Sequence, residues 1–448
     1  MTDILIVGAG PVGAHAAHLF AERGFKVVLL EKNKREACGA RWVNGVPLWQ
    51  LEDAGLQKPP PNEIHHSGNL FSIISPLSQH RITLNDAQLL DIDMRHFGLR
   101  LLSKAESHPN VTTYFETTFH HLNFDVRNRP NSAHTSAGEI NFKLIIDASG
   151  MSAVIRKQVP ILSRLCPQVT PADICTAAQE VYEIADPHGA HTYLERNNGT
   201  KGEALAFVGI AGGFSLMRVI IDQDARHVAF LTGSRPLPGI PSGMDLIRQF
   251  VADNVWVGAR MFGGQRPIPL RRPYAALSAS GVALLGDAGS QIYSAHGSGI
   301  GISLIAAKIL AETLKSASDK DEDISDAEVL ARYARRFHKL YGSLLANSDA
   351  SRRFSQSLTQ EETHTLIERR LLSPNIARDA LFQRPIGFYL ADIPGQIVKA
   401  MQHPRLVGKV LKVAAKMPLI AAAMKTYPRT ADPEKLLRFD QRLEKLVR

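Results

Sequence analysis

Ile4-Leu5-Ile6-Val7-Gly8-Ala9-Gly10-Pro11-Val12-Gly13 is the stretch that decides how this 448-residue chain folds. Four consecutive apolar residues suit a strand buried on both faces of a parallel sheet. They run straight into three spaced glycines, and then into a helical pattern from Ala14 to Arg23 that Gly24 is placed to end. A second apolar strand, Lys26 to Leu30, follows and stops at Glu31.

Each element has a physical task. Gly8 permits the tight turn out of the strand, Gly10 lets backbone approach a pyrophosphate, and Gly13 lets helix and strand pack closely. Together with Pro11 and Val12 they put open N–H groups and the positive end of a helix dipole where phosphates would lie. Glu31, with Lys32 beside it, stands about 20 residues past the motif, where a carboxylate accepts from ribose hydroxyls. Strand, turn, helix, strand and acid in that order predict a Rossmann-type dinucleotide site. The acid favours FAD or NAD over NADP.

Two later segments separate FAD from NAD. The first is Phe142-Lys143-Leu144-Ile145-Ile146-Asp147-Ala148-Ser149-Gly150, continuing to Arg156. The second is Val282-Ala283-Leu284-Leu285-Gly286-Asp287-Ala288-Gly289, continuing through Ser294-Ala295-His296-Gly297-Ser298-Gly299-Ile300-Gly301 into an apolar helix. Both resemble conserved segments of the glutathione-reductase-like flavoprotein superfamily. The resemblance implies that Asp147 and Gly150, in the stretch that closes the FAD domain, bind the cofactor. It implies that Gly286-Asp287 is the Gly-Asp motif whose acid holds the ribityl chain, and that the loop of Gly297, Gly299 and Ile300 lies against the flavin. Arg95 resembles the arginine at the head of a helix approaching the cofactor, and Arg41 sits where the chain crosses from the adenine end toward the active site.

Within that superfamily the chain is most similar to the geranylgeranyl-reductase-like branch, beside the aromatic hydroxylases and flavin halogenases. The likeness extends from Met1 to about Leu314. It includes Cys38-Gly39, followed by Gly45 and Leu56, and Pro267-Ile268-Pro269 followed by Tyr274. The chain departs from the branch at Ser294, where a proline is usual, and at Ser298, where an acid is usual. The aromatic-rich substrate motif of geranylgeranyl reductases is not evident near Gly212-Gly213-Phe214-Ser215-Leu216. The Trp-x-Trp-x-Ile-Pro signature of tryptophan halogenases is absent.

These readings predict an α/β fold: a Rossmann-type FAD-binding domain, an inserted and mostly antiparallel β substrate domain, and a helical C-terminal region. The FAD-binding parts are expected at 1–69, 91–166 and 269–320. A substrate-sheet hairpin is expected at 70–90, the main substrate domain at 167–268, and the helical region at 321–448. Helical periodicity runs over Asp326 to Ala346 and Ile397 to Ala415; in the latter, Lys409, Lys412 and Lys416 are expected on a face opposite Val410, Leu411 and Val413. The polar stretch Arg127 to Gly138 reads as a surface loop.

The expected activity is that of an FAD-dependent oxidoreductase. Three readings stay open. One is a geranylgeranyl-reductase-like enzyme passing flavin hydride to a double bond of an apolar substrate. Another is a monooxygenase hydroxylating an aromatic or lipophilic substrate. The third is a non-enzymatic prenyl-binding escort of the same fold. Because flavin supplies the redox chemistry, the protein need add only a proton donor or anchor. Cys38, Tyr293 and His296 are the candidates. NADPH or NADH is the expected electron donor, although no second Gly-x-Gly-x-x-Gly stands out to hold it.

Charge and composition complete the reading. The chain carries a net charge of +9. From Met401 to Arg448, eleven Lys/Arg stand against four Asp/Glu, so the tail holds most of the excess. Such a tail is a candidate for peripheral membrane contact; a nucleic-acid partner is not expected. Three scattered cysteines suit neither a disulfide framework nor a metal cluster, and a reducing, cytoplasmic setting is the simple expectation. No basic leader precedes the first apolar run and no run of about 18 apolar residues occurs, so neither signal peptide nor membrane span is expected.

Overall fold

The computed structural model describes residues 2–66, 68–77, 80–86, 89–386 and 403–448. The opening stretch becomes strand Thr2–Val7 and helix Pro11–Ala21, followed by strand Val27–Leu30. Thr2–Val7 lies at the centre of a parallel sheet, between Val27–Leu30 and Gly138–Asp147. Val111–Tyr114 extends the sheet beyond Val27–Leu30, and Val282–Leu284 extends it beyond Gly138–Asp147. Helices Pro11–Ala21, Met94–Glu106 and Ile300–Ser318 cover one face, burying Phe20, Phe97 and Leu310 completely. Burial on both faces is why these strands read as unbroken apolar runs rather than alternating ones.

Three backbones meet where this sheet hands over to its first helix. A Cβ on Gly13 would stand 1.9 Å from the Gly8 carbonyl oxygen, and one on Gly8 would stand 2.4 Å from that of Ala148. Gly8 also has φ +109°, a conformation that L side chains rarely adopt.

A second sheet, of seven strands, is ordered Val257–Pro269, Ile174–Ile184, His227–Ser234, Ser215–Ile221, Ala204–Val208, Phe71–Ile74, Arg81–Leu84. All its pairs are antiparallel except Ala204–Val208 with Phe71–Ile74. The early hairpin thus joins the later strands, as expected. One face, with Ala178, Met217, Val219 and Phe230, is packed beneath helices Pro187–Arg196 and Gly243–Asp253.

Three features differ from the sequence reading. Arg127 to Gly138 is mostly strand: Pro130–Thr135 pairs with Phe119–Phe124 and with Gly138–Asp147 in a flap at the sheet margin. Its polarity reflects a ribbon with much of its surface in solvent. A small three-stranded sheet of Val43–Pro47, Leu89–Asp93 and Ile64–His66 was not foreseen, because its strands are short and interrupted by Gly45 and Pro47. The third difference lies in the tail. Helix Pro404–Met424 turns Lys409 inward to pair with Glu362 at 2.7 Å, and half-buries Lys416 along with Val413. Leu411, expected on the buried face, is 63% exposed. A carboxylate on a neighbouring helix draws a lysine head inward, and the face rotates with it. The part of that expected helix at 397–402 lies outside the described residues.

The C-terminal helices are clamped to the body by buried charge. Asp349, on helix Ser343–Gln356, is fully buried and accepts from Arg272 N at 3.1 Å, from Arg353 Nε at 3.2 Å and from Arg352 Nη2. Arg272, 1% exposed, also pairs with Asp440 at 2.6 Å on helix Pro433–Val447. Arg352 reaches Asp173 at 2.9 Å. Removing one member of such a set leaves charge buried without a partner. Asp349→Ala is therefore expected to cost about 3–5 kcal/mol, read as a lowered denaturant midpoint. A loss below about 1 kcal/mol, the range of a surface pair, would show that the network is not a clamp.

Candidate active site

The glycine turn presents the head of helix Pro11–Ala21 with nothing of the protein's own to satisfy it. Its N-cap is Gly10, no side chain caps it, and no acid stands in its first turn. Helix Ile300–Ser318 begins the same way at Gly299. Seven other helices are capped by their own side chains: Asp93, Asp186, Ser242, Asp326, Thr359, Ser373 and Asp432. Two long helices of the central domain thus keep open N–H groups and dipole ends for an anionic ligand.

Around them the loops are held from behind. Glu31 is buried; one oxygen accepts from Ala9 N at 3.0 Å, and the other from Asn33 N at 3.0 Å and Asn33 Nδ2 at 2.7 Å. It fixes the phosphate loop while keeping lone pairs for a ribose. Asp147 corrects the sequence reading, which placed it on the cofactor. It is fully buried and saturated by Ser149 N, Ser149 Oγ at 2.6 Å, Ile155 N and Arg156 N at 2.8 Å. Its role is to fold the loop carrying Gly150, whose φ is +68° and beside which a Cβ would find open space. Arg156 then donates to the Ala288 carbonyl at 3.1 Å and ties this loop to Gly286–Gly289.

Asp287 has no hydrogen-bond partner for its carboxylate among the described residues. Water reaches it, but it stands within a concavity where burial pushes its pKa up to about 6, moderated by the Arg266 charge. A half-buried carboxylate left without donors of the protein's own fits a polyhydroxylated chain. Gln291 fixes the turn behind it: Oε1 accepts from Gly286 N at 2.9 Å, and Nε2 donates to Tyr333 at 2.7 Å. The two positions that depart from the related branch are used structurally. Ser294 is buried against Ser348 of the C-terminal helices, Oγ to Oγ 3.1 Å, and Ser298 Oγ donates to the Gly45 carbonyl at 3.4 Å.

The remaining candidates flank these turns. Cys38-Gly39 folds against Gly10-Pro11; a Cβ on Gly39 would stand 2.8 Å from Pro11 Cδ. Burial, with Glu31 nearby, pushes the Cys38 thiol up to about 12. Burial likewise raises the Tyr293 hydroxyl above its ordinary value, and it lowers His296 to about 4. All three are neutral at physiological pH. Tyr293 and His296 pack with ring centroids 5.2 Å apart; Tyr293 is buried, while His296 is crowded by its surroundings yet still reached by water. Arg41 is exposed and bonds the Glu36 carbonyl, and Lys32 is exposed beside Glu31. Arg95 is held by Asp93 at 2.6 Å and lies 3.4 Å over the Phe262 ring. Gly297, with φ +69°, brings its loop against Ile268 and Leu270, while Val12 and Ile300 are half-buried at the two helix heads.

Sequence reasoning missed Arg266 and Gln179. Arg266 donates to the Gly39 carbonyl at 2.8 Å, and Gln179 Oε1 accepts from Val43 N at 2.9 Å, so the substrate sheet is fastened to the cofactor domain at two points. The signal for Gln179 was a polar residue within the long strand Ile174–Ile184.

Residues 1–220 match the family described as FAD binding domain. The chain is 21% identical to a digeranylgeranylglycerophospholipid reductase of Sulfolobus acidocaldarius, over 96% of this chain and 94% of that one. The chain is an FAD-dependent oxidoreductase. A second similar protein, from Methanopyrus kandleri, carries the same description and is 24% identical over 82% of this chain and 89% of its own length. Among solved structures, a geranylgeranyl bacteriochlorophyll reductase-like protein from Thermoplasma acidophilum superposes with TM-score 0.71 at 16% identity, covering 92% of this chain and 99% of that one. PqsL, a probable FAD-dependent monooxygenase from Pseudomonas aeruginosa, superposes with TM-score 0.59 at 18% identity, over 82% and 99%. The fold of this flavoprotein is therefore shared between reductases and monooxygenases.

FAD fits the site on the structure's own terms: uncapped helix heads for pyrophosphate, Glu31 for ribose and Asp287 for ribityl hydroxyls. The raised Asp287 pKa gives a sign. Below about pH 6 the carboxyl is neutral and a weaker acceptor, so FAD affinity should fall as pH drops through 6, by up to about tenfold per unit. Fluorescence titration of apoprotein with FAD reads this directly. Asp287→Asn should bind FAD more weakly at pH 8 and lose the pH step. An unchanged step in that variant would place the titration elsewhere.

Proposed function

We propose that this flavoprotein, as a member of the glutathione-reductase-like superfamily, saturates a carbon–carbon double bond in an isoprenoid chain, with NADPH or NADH as electron donor. The apolar wall opposite the flavin loop carries this reading. In the seven-stranded sheet Gln179, Leu231, Arg218 and Ala206 are register partners, and so share one face. Gln179 and Arg218 contact the small sheet of the cofactor domain, which shows where that face points. Leu216, two residues from Arg218, and Ile268, four residues from the Gln179 partner Gly264, fall on it too. Leu216, Leu231 and Ile268 are half-buried and belong to no packed core among the described residues. Ile268 lies against Gly297 of the flavin loop.

The polar groups on this wall are already engaged. Arg218 bonds Asp91 with both terminal nitrogens at 3.0 Å, both side chains buried, and Gln179 is used by Val43. What remains toward the flavin loop is aliphatic, and an apolar chain suits it better than a charged or highly hydroxylated molecule. The names of the similar proteins add support for a prenyl lipid. Bound FAD supplies the two-electron chemistry. The protein's residues orient the chain, exclude water and supply a proton. We assign the proton to Cys38, whose thiol burial pushes up to about 12, so that it keeps its proton at neutral pH, and which, unlike buried Tyr293, is only half-buried and open to resupply from solvent.

A monooxygenase is the second reading, favoured by the same wall, which an aromatic ring also fits. Incubation of the holoprotein with NADPH or NADH and a geranylgeranyl lipid separates the two. A reductase yields, under anaerobic conditions, a product heavier by one pair of hydrogens per reduced bond. A monooxygenase requires dioxygen and adds oxygen to the product. Cys38→Ala should lower kcat by about 10²-fold, the lower range for a general acid, with the flavin spectrum unchanged. Oxygen-dependent product would overturn the reduction.

A further inference from the structure

We propose that helix Pro404–Met424 docks this protein on an anionic lipid surface through its solvent face. The proposal rests on surface chemistry and not on the redox reading. At 100° per residue, Leu411, Ala414, Ala415, Pro418, Leu419 and Ala422 fall within an arc of roughly 140°. All six are exposed, Leu411 at 63% and Leu419 at 55%. The opposite side carries Leu406, Ile420, Ala423 and Met424, which are buried against the body, together with Lys409 bound to Glu362. The helix has therefore spent one of its lysines inward and left an aliphatic ridge in water. A soluble surface usually does the reverse.

Charge identifies the occupant. No acidic residue occurs between 404 and 431, whereas Arg405, Lys412, Lys425 and Arg429 are exposed around the ridge. The following helix continues the basic surface with exposed Lys435, Arg438, Arg442 and Lys445. An aliphatic ridge rimmed by cations matches the boundary between acyl chains and anionic headgroups, where an amphipathic helix lies in the plane. No described helix is long and apolar enough to cross a membrane, so the contact is a lateral one. A second copy of this chain would bring the same cations face to face, which argues against a symmetric dimer through the ridge.

Flotation of the full-length holoprotein with vesicles tests this. The protein should bind phosphatidylcholine vesicles containing phosphatidylglycerol, bind phosphatidylcholine alone much less, and release as salt rises. Leu411→Asp with Leu419→Asp should lose about tenfold or more in partitioning. Lys412→Ala and Lys425→Ala should each lose about fivefold, the equivalent of one cation near an anionic surface. These residues are exposed, so flavin content and thermal midpoint should stay as in the parent protein, and both are checked on each variant. The proposal is overturned if the parent protein does not float, if the double leucine variant floats equally well, or if that variant instead converts a dimer to a monomer without vesicles.

Discussion

The whole arrangement turns on a contact that contains no side chain. Helix Pro11–Ala21 can leave the central sheet at its observed angle only because Gly13 has no Cβ to strike the Gly8 carbonyl, and Gly8 none to strike Ala148. That approach brings the head of the helix, the end of Thr2–Val7 and the loop after Gly138–Asp147 to one point. The hydrogen bonds from Ala148 N to the Val7 carbonyl, 3.0 Å, and from Leu285 N to the Asp147 carbonyl, 2.9 Å, carry the junction on to the Gly-Asp turn. Pyrophosphate head, ribose acid and ribityl acid are thereby set on one rigid edge of a parallel sheet, where such folds hold their ligands.

The C-terminal helices complete that edge from outside. Ser348 holds Ser294, Tyr333 bridges Gln291 and the Leu284 carbonyl, and His338 bonds the Tyr274 carbonyl at 3.0 Å. The buried set of Asp349, Arg352, Arg272 and Asp440 keeps these helices in place. The flavin loop is therefore ordered by residues distant in sequence. A cofactor whose binding groups are held before it arrives loses less of its binding energy to ordering them.

How much of this was legible in the sequence follows from how local each cause is. The phosphate turn was readable because its glycines answer a backbone requirement within ten residues. Asp287 and the flavin loop were readable from their resemblance to a family. The place of Asp147 was not, since the four donors that saturate it are gathered by the fold of the following loop up to Arg156. The apolar wall was hidden as well: strand periodicity shows that alternate residues differ, but only helices Pro187–Arg196 and Gly243–Asp253 decide which face is core. The tail was misread in its rotation because Lys409 finds Glu362, 47 residues earlier in the chain. Polar Pro130–Thr135 became a strand because its neighbours supplied a ladder that its own composition does not advertise.

On the proposed function, the aliphatic wall beside Gly297 receives a prenyl chain within reach of the reduced cofactor. Anaerobic stopped-flow mixing of photoreduced holoprotein with a geranylgeranyl lipid tests this without any nicotinamide or oxygen. Oxidised flavin absorbance should return in a single phase whose rate saturates with lipid, and the phase should slow when Leu216 or Leu231 is replaced by Asp. A cofactor that stays reduced until oxygen is admitted, whatever lipid is present, would contradict it.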